Sequence, residues 1–432
     1  MTRLIHIATL VAFCLCSSWS QATAAEQPNV ILILSDDHGF NDYGFMGHKV
    51  AKTPSLDRMA AQSLLYTRGY VMPVCSPSLA SLLTGQLPHV HGITGNDLSE
   101  ADIAARKAKG KKDRSPLSTQ LLSSTVILPK VLTQAGYLTC QTGKLWNTTA
   151  TEVGFTAGMT NKEGRHGGDG LDIGRKTMQP MFDFMEGAQA KKKPFFVWYA
   201  PMMPHQPHNP PPEILAHYQG KGLSPKAEKY YAMVEWFDQT CGQLDDFLAK
   251  HALAENTVII YMADNGWDAE EGDRAKLSPY ETGIRTPMFV RWPGKVKAQR
   301  DDETLASIID FVPTVLNACG VKAPAALPGL DLSDRAAMTA RKTVFVEAYT
   351  HDIAALDQPE KSLVTQVVIN GWSKLLLPGT VRPDKAYTSA PTDVELFDLK
   401  SDPLEKHNVA AEKPQEITRM KELQNAAWSA GK

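Results

Sequence analysis

Two pairs of polar residues each follow a short apolar run of the sequence. Asp36 and Asp37 come after NVILILS, and Asp264 and Asn265 come after TVIIYMA. Open α/β sheets collect ligands at the carboxyl ends of their strands, and carboxylate and amide oxygens are the ligands that Ca²⁺ and Mg²⁺ prefer. One such pair alone would more often cap a turn. Two pairs at two strand ends favour a site for one hard divalent cation.

Cys75 opens the segment CSPSLASLLTG. Ser76 and Pro77 indicate that a helix begins here, because proline is favoured in the first turn of a helix. The start of that helix would place free N–H groups and a partial positive charge beside the thiol, which suits a sulfate or phosphate group. A buried and unreactive cysteine explains the segment equally well.

Two lysines and two histidines complete the candidate chemistry. Lys144 follows Gly143 after the predicted strand YLTCQTG, and Lys276 lies within RAKLSPYETGIRTP. Each lysine could neutralise an anion, although an ordinary solvated side chain is the simpler interpretation of either one alone. His205 and His208 stand between prolines in MMPHQPHNPPP, which restricts their backbone. A histidine held in this way can donate a proton to a leaving oxygen.

These residues need a framework that brings distant segments together. From residue 28 onward, short apolar runs alternate with helical stretches, a pattern typical of α/β folds with a parallel sheet. After about residue 335, TVFVEAY, LVTQVVINGWSKLLL and VELFDLKSDP predict a small antiparallel sheet, with a hairpin turn at Asn370-Gly371, and then a helix. We expect a large mixed, mostly parallel sheet flanked by helices over residues 26–335, and a C-terminal α+β subdomain over residues 336–432.

The first 25 residues have the features of a secretory signal peptide. Arg3 precedes the apolar run LIHIATLVAFCLC, and Ala22-Thr23-Ala24 fits the small-residue rule for cleavage. We therefore predict a periplasmic or secreted protein. No later apolar run reaches about 18 residues, so no membrane span is expected. Four cysteines remain, at positions 75, 140, 241 and 319, and no pair at short range suggests a disulfide.

Composition limits the classes of function. The chain has 432 residues, of which 43% are hydrophobic and 21% charged, so it can bury a large core. The formal net charge of −2 offers no broad basic surface. Nucleic acid is therefore not expected as a partner.

Seven segments, taken in order, resemble the landmarks of the type I sulfatase family, within the alkaline-phosphatase-like superfamily. They are NVILILSDDHG, CSPSLASLLTG, GYLTCQTGK, PHQPH, ADNG, KLSPYETGIRTP and ELFDLKSDPLEKHNVA. The resemblance covers nearly the whole chain after the predicted signal peptide. It implies an alkaline-phosphatase-like fold and the hydrolysis of sulfate esters.

The resemblance also implies a role for each candidate residue. In this family a formylglycine-generating enzyme oxidises the cysteine, so Cys75 would become formylglycine, and its hydrate would supply the nucleophilic oxygen. Lys144 and Lys276 would neutralise the sulfuryl oxygens, and His205 would protonate the leaving alcohol. One cation, usually Ca²⁺ although Mg²⁺ is an alternative, would be bound by Asp36, Asp37, Asp264, Asn265 and Cys75.

Two positions depart from the family pattern. Leu79 stands where relatives usually carry an arginine that holds the formylglycine and belongs to the motif read by the modifying enzyme. Trp146 stands where relatives usually carry a histidine that assists breakdown of the sulfated intermediate. His89 and His91 are candidates to replace that histidine, and they could equally be ordinary loop residues.

Secretion together with a sulfatase-like site predicts a sulfated glycan as substrate, with a small sulfate ester as the alternative. Charged or glycine-rich segments near residues 94–116 and 161–175 are expected to form loops that contact the sugar, although simple surface polarity would explain them as well. The candidate contacts in these segments and after the predicted strand FFVWYAP are Asn96, Asp97, Arg165, His166, Asp169 and His208.

Two other functions stay open. A phosphoester or phosphonate hydrolase of the same superfamily would need further ligands for a second metal. After Asn265 the chain offers only His351 and His407, and neither is expected in a ligand-like cluster. A catalytically silent protein that binds sulfated glycans is the second alternative, with Cys75 kept as a thiol because Leu79 spoils the modification motif.

Overall fold

The computed structural model describes residues 27–100, 103–104, 108, 115–145, 148–160, 168–272, 274–356, 358–381 and 389–430. The predicted signal peptide, Trp146, Arg165 and His166 lie outside the described residues. The strands are β1 (Asn29–Ser35), β2 (Leu64–Tyr70), β3 (Asp97–Leu98), β4 (Leu138–Gly143), β5 (Ala157–Gly158), β6 (Phe195–Ala200), β7 (Thr257–Ala263), β8 (Arg285–Arg291), β9 (Gln299–Ser307), β10 (Thr343–Tyr349), β11 (Asp352–Ile353), β12 (Leu363–Asn370), β13 (Ser373–Pro378) and β14 (Glu395–Asp398). The helices are α1 (Pro54–Ala61), α2 (Cys75–Thr84), α3 (Pro88–His91), α4 (Ser115–Leu122), α5 (Leu128–Gln134), α6 (Gln179–Ala190), α7 (Pro212–Leu215), α8 (Pro225–Lys250), α9 (Glu281–Ile284), α10 (Phe311–Ala318), α11 (Arg335–Ala340) and α12 (Pro414–Ala430).

The large sheet has the strand order β5-β4-β6-β1-β7-β8-β2-β9. β1 is parallel to both β6 and β7, and β4 is parallel to β6, whereas β8 is antiparallel to β7 and β2. Helix α1 packs against β2 and β8, and α6 packs against β4 and β6. The prediction of a large mixed, mostly parallel sheet with flanking helices is confirmed.

The centre of the sheet is buried on both faces. Val30, Leu32 and Leu34 of β1 pack into one apolar cluster, and the alternate residues Ile31 and Ile33 pack into another. Successive side chains of a strand point to opposite faces, so a strand covered on both sides must be apolar at every position. This is why the run before Asp36 and Asp37 shows no alternation.

The C-terminal residues form an antiparallel sheet in the order β10-β12-β13-β14, followed by α12, as predicted. The hairpin between β12 and β13 lies one residue later than expected. Asn370 is still paired with Ser373, and its side chain donates to Thr343 Oγ1 at 2.7 Å, so Gly371 and Trp372 form the loop. Gly371 supplies the positive φ, at 59°.

One small sheet was not predicted. β3 and β11 pair in parallel, with Asp97 beside Asp352 and Leu98 beside Ile353. The pairing joins the segment after α3 to the segment after β10. Within the described ranges, no helix combines the length and apolar character needed to cross a membrane.

Candidate active site

β1 and β7 bring the two polar pairs together at one edge of the large sheet. The two strands are paired in register up to their last residues, so the polar pairs follow side by side. The Asp37 N–H donates to Asp264 Oδ1 at 3.2 Å, and the Asn265 side-chain amide donates to Asp37 Oδ1 at 2.8 Å. Asp37 has a φ of 59°, and this left-handed turn lets Asp36 and Asp37 reach the same site.

Cys75 is the first residue of α2 and is completely buried. Its Sγ lies 3.3 Å from Asn265 Oδ1, and ligand atoms of Cys75, Asp36 and Asp37 lie within 4.8 Å of one another. Burial raises the pKa of the Cys75 thiol to about 12, and two neighbouring lysines only partly offset this. The thiol thus lies within the acidic cluster. Because its pKa is raised, it is neutral at pH 7.

Lys144 lies between two carboxylates at the end of β4. Its Nζ is 2.6 Å from Asp36 Oδ1 and 3.2 Å from Asp264 Oδ2. Gly143 has a φ of 78°, and a Cβ there would overlap the Ala200 carbonyl oxygen, so glycine is required for the chain to turn the lysine inward. Burial opposes the charge on Lys144, but Asp264 and Asp36 outweigh it and hold the lysine pKa well above its usual value.

Lys276 and His205 both face Asp37. Lys276 Nζ lies 2.6 Å from Asp37 Oδ1, and His205 Nε2 lies 3.4 Å from Asp37 Oδ2. Burial acts to raise the pKa of Asp37, but the charges of Lys276 and His205 outweigh it, and that pKa lies well below its usual range. Burial lowers the pKa of His205 to about 4, with Asp37 opposing the shift. His205 is therefore neutral at pH 7 when no anion is bound.

Arg175 is a supporting residue that was not singled out from the sequence. Its guanidinium donates to the Met202 carbonyl at 2.7 Å and to the His205 carbonyl at 2.8 Å, and so fixes the backbone that carries His205. It lies at the end of the predicted 161–175 loop, where only Arg165, His166 and Asp169 were considered. Its partners are carbonyl groups on a distant segment, which composition alone does not indicate.

The acidic cluster fits a divalent cation. Asp36 Oδ2 is buried without a hydrogen-bond partner among the described residues. Burial raises the pKa of Asp36 and raises that of Asp264 to about 6, so both carboxyls would ionise more readily with a further positive charge beside them. Asp264 and Asn265 reach the cluster through their hydrogen bonds to Asp37. This mainly oxygen donor set suits a hard cation such as Ca²⁺.

Comparison with known proteins gives a consistent result. The family model described as Sulfatase matches residues 28–321. N-acetylgalactosamine-6-sulfatase of Mus musculus is 28% identical over 361 residues, which is 72% of this chain but 66%, just under two thirds, of that relative. The crystal structure of Ps i-CgsB, also solved in complex with k-i-k-neocarrahexaose, has a TM-score of 0.71 at 24% identity and covers 93% of each chain. Another structure, solved with its substrate D-glucosamine-2-N,6-O-disulfate, has a TM-score of 0.70 at 19% identity, covering 94% of this chain and 98% of its own.

The chain belongs to the sulfatase family. The family model covers well over half of the sequence, and the similar solved structures agree with the alkaline-phosphatase-like fold. The predicted family and fold class are confirmed. Sulfatases are sulfuric ester hydrolases, which is the class of enzyme that the sequence predicts.

Leu79 is one of the two positions that depart from the sulfatase pattern. Its side chain is 2% exposed and packs into the main apolar cluster, on the same helix as Cys75. The position that carries an arginine in relatives is therefore a buried apolar position here. The other departure, Trp146, lies outside the described residues.

The structure gives His89 and His91 other partners. His91 Nε2 lies 3.2 Å from Ser81 Oγ, and its Nδ1 accepts from the Ile93 N–H at 3.1 Å. His89 pairs with Glu347 and stacks on Trp428 with the ring centroids 4.4 Å apart. Within the part of the chain that the structure describes, both histidines thus join α3 to neighbouring segments, and neither pairs with the acidic cluster.

The predicted sugar-contacting residues lie in different surroundings. Asn96 is 3% exposed, and its side chain accepts from the Ser76 N–H at 3.0 Å, so it faces the start of α2. Asp97 is half-buried in β3, and Asp169 is exposed. His208 lies against the rings of Tyr230 and Trp267, and its buried Nε2 has no partner among the described residues. A glycan contact by each of these residues stays a prediction.

The expectation that His351 lies outside any ligand-like cluster is wrong. Ligand atoms of Asp97, His351 and Asp352 lie within 4.8 Å of one another. The reason is the pairing of β3 with β11, which puts residues 97 and 352 side by side although they are far apart in the sequence. His407 is an exposed residue near Asp402.

Proposed function

We propose that the protein is a secreted or periplasmic sulfatase that hydrolyses sulfate esters of a sulfated glycan. The observation that carries this proposal is the convergence of Cys75 with two aspartates within 4.8 Å at the start of a helix. The glycan is supported by N-acetylgalactosamine-6-sulfatase and by neighbours solved with carbohydrate ligands. Export is supported by the N-terminal sequence.

The unusual pKa of Cys75 supports its conversion to formylglycine. A thiol with a pKa of about 12 is almost entirely protonated at pH 7, so it is a poor nucleophile. Formylglycine, once formed from Cys75, would supply the hydroxyl of a hydrated aldehyde as the nucleophile. The helix start beside residue 75 favours an anion at this position.

The carboxylates would bind the cation, and the lysines would bind the sulfuryl oxygens. Asp36, Asp37, Asp264 and Asn265, together with residue 75, would hold a Ca²⁺ or Mg²⁺ ion, which supplies Lewis-acid polarisation of the sulfate. Lys144 and Lys276 now pair with three of these ligands. Once the carboxylates bind a cation, the lysine N–H groups can turn to the sulfuryl oxygens and stabilise their charge.

His205 would donate the proton to the leaving alcohol. Its Nε2 lies at the edge of the cluster, 3.4 Å from Asp37 Oδ2, and the side chain is 19% exposed, so a substrate can reach it. Burial keeps the imidazole neutral in the free protein. The negative charge of a bound sulfate would favour the imidazolium form of His205. His205 would then carry the proton that it donates to the leaving alcohol.

Intact mass spectrometry and a substrate panel test this proposal. Conversion of Cys75 to formylglycine lowers the peptide mass by about 18 Da, as covalent catalysis through an aldehyde hydrate requires. We expect this form in protein from its own host, and desulfation of at least one sulfated oligosaccharide of defined linkage. Cys75→Ala should abolish activity while the fold is retained. Full activity with an unmodified thiol, or in Cys75→Ala, would refute the mechanism.

Buried Leu79 favours a second candidate, a silent protein that binds sulfated glycans through the cation and the lysines. In that case the mass of the Cys75 peptide is unchanged, and the oligosaccharides bind without turnover. The Asp97–His351–Asp352 cluster removes one objection to a phosphoester hydrolase with two metals. Phosphate esters therefore belong in the same panel, and faster turnover of these than of sulfate esters would favour that enzyme.

A further inference from the structure

The first turn of α2 is capped by a residue from elsewhere in the chain. Val74 precedes the helix and makes no side-chain cap, and Pro77 has no N–H to offer. The Ser76 N–H, next to Cys75, donates instead to Asn96 Oδ1 at 3.0 Å. The position of the nucleophilic residue therefore depends on how Asn96 is held.

Asn96 is held by His351. Its Nδ2 lies 3.3 Å from His351 Nε2, and His351 Nδ1 lies 2.7 Å from Asp352 Oδ1. The Ser76 N–H can only donate, so the amide oxygen of Asn96 must face it and the amide N–H must face His351. Nε2 must then accept, and Nδ1 must carry the proton that Asp352 accepts. The hydrogen bonds are consistent only with neutral His351 in its Nδ1–H tautomer.

The backbone around Asn96 leaves little room for another arrangement. The Asn96 N–H donates to the His351 carbonyl at 2.8 Å, and the Ser99 N–H donates to the Ile353 carbonyl at 3.2 Å. A Cβ at Gly95 would lie 2.6 Å from the His351 carbonyl oxygen. The two segments are thus in direct contact. The His351 side chain is 29% exposed.

We propose that His351 is a positioning residue for Cys75: by accepting from the Asn96 amide it holds Asn96 and the first turn of α2 in the productive arrangement. Without an acceptor at residue 351, the Asn96 amide could rotate and set its N–H against that of Ser76. One hydrogen bond at the helix start would then be lost. The charged groups that face His351 from the paired strands are Asp352 of β11 and Asp97 of β3.

This inference rests on the proposed function, because the part that is positioned is the proposed nucleophile. It gives the C-terminal segment a role in the chemistry without contact with the substrate. It also gives Asn96 a structural contact, whose loss should affect kcat rather than KM.

Asn96→Asp and His351→Gln test the inference from opposite directions. In Asn96→Asp the carboxylate can still accept from Ser76 but has no N–H to donate to His351, so kcat should fall about tenfold with little change in KM. His351→Gln can still accept from Asn96, so its kcat should stay within about twofold of wild type, whereas His351→Leu has no acceptor and should lower kcat about tenfold. His407→Gln is the matched control, and its kcat and KM should equal those of wild type.

Imidazole ¹⁵N shifts of His351, assigned with His351→Gln, test the hydrogen bonds without any turnover. We expect the Nδ1–H tautomer at neutral pH. An Nε2–H tautomer, full kcat in His351→Leu, or a rise in KM alone in Asn96→Asp would overturn the inference. If the wild type turns over no sulfate ester, the proposed function fails, while the nitrogen shifts still decide whether neutral His351 holds Asn96.

Discussion

At the scale of single residues, the site consists of buried charges of opposite sign that pair with one another. Three aspartates share two lysines, and the lysines approach them to 2.6 Å. Burial raises the pKa of Asp36 and Asp264, whereas the pKa of Asp37 lies below its usual range because Lys276 and His205 outweigh its burial. Each buried charge in such a cluster is stabilised by its partner. Removing one partner therefore costs more free energy of unfolding than the intact pair contributes, because it leaves the other charge buried and unpaired.

Lys144→Met should show this dependence directly. It leaves Asp36 and Asp264 buried without their cation, and we expect a loss of about 3–5 kcal/mol in the free energy of unfolding in EDTA. Saturating Ca²⁺ should recover much of that loss, since it occupies the same carboxylates. Urea unfolding in EDTA and in Ca²⁺ measures both. Lys226→Met is the control, because its pair with Glu271 is exposed; equal losses in the two buffers would argue against a shared cation site.

His205→Asn should separate substrates by their leaving groups. A proton donor matters most when the departing alcohol is a poor leaving group, so kcat for a sugar sulfate should fall about 10²–10⁴-fold. The fall should be much smaller for 4-nitrophenyl sulfate, whose phenolate leaves without a proton. Steady-state kinetics on both esters decide the point, with His251→Asn as the control. The same loss on both substrates would rule out the acid role of His205.

The sequence could predict the residues of this cluster better than their supports. The acid pairs and Lys144 follow recognisable strands, Cys75 opens a recognisable helix, and parallel topology brings strand ends to one edge. Lys276 lies in a connecting segment between β7 and α9, and only the family resemblance gave it a role. The partners of Asn96 are Ser76, 20 residues away, and His351, 255 residues away. A single hydrogen bond over that separation leaves no periodic signal in the sequence.

At the scale of elements, the length of a strand decides whether the sequence can predict it. β1 and β7 are seven-residue apolar runs with both faces buried, which a sequence pattern identifies. β3 and β11 have two residues each, too few to show any alternation. Their pairing depends on the fold that brings them together. The unpredicted sheet is also the one that links Cys75 to the C-terminal segment, so a functional connection was missed together with it.

Gly95→Ala should disturb this link. The added Cβ would lie 2.6 Å from the His351 carbonyl oxygen and 2.9 Å from that of Thr350, so the two segments must separate. We expect a loss of about 1–3 kcal/mol in the free energy of unfolding and a lower kcat. Gly187→Ala, in α6 with open space around it, is the matched control and should be neutral or stabilising. Urea unfolding and kinetics of the two variants are compared; equal behaviour would contradict the close contact.

At the scale of the whole molecule, side chains connect the parts before and after the predicted boundary near residue 335. Arg68 of β2 is buried, donates to the Gly371 carbonyl at 2.6 Å and stacks on Trp372 at 3.7 Å. The change in the sequence pattern after about residue 335 reflects a change from parallel to antiparallel strand pairing. The pattern does not show whether the two parts fold independently, because side chains of both parts make the contacts between them.

Lys374 joins the C-terminal sheet to helix α9, which precedes β8 of the large sheet. It is completely buried in β13, and its Nζ lies 3.2 Å from Glu281 Oε1 and 2.7 Å from Glu405 Oε1. Glu281 opens α9, five residues after Lys276, so the C-terminal sheet also supports the loop that carries this proposed catalytic lysine.

Lys374→Met should therefore cost about 3–5 kcal/mol of unfolding free energy, since it leaves Glu405 without its lysine and Glu281 paired only with Arg285, at 3.5 Å, among the described residues. It should also lower kcat through Lys276. Because the two parts share buried charges, wild-type unfolding in urea should give coincident far-UV and tryptophan transitions. Lys400→Met, whose side chain is 67% exposed, is the control and should change stability by less than about 1 kcal/mol. Two separate transitions in the wild type would show that the parts fold independently, and that the buried Lys374 cluster does not couple them.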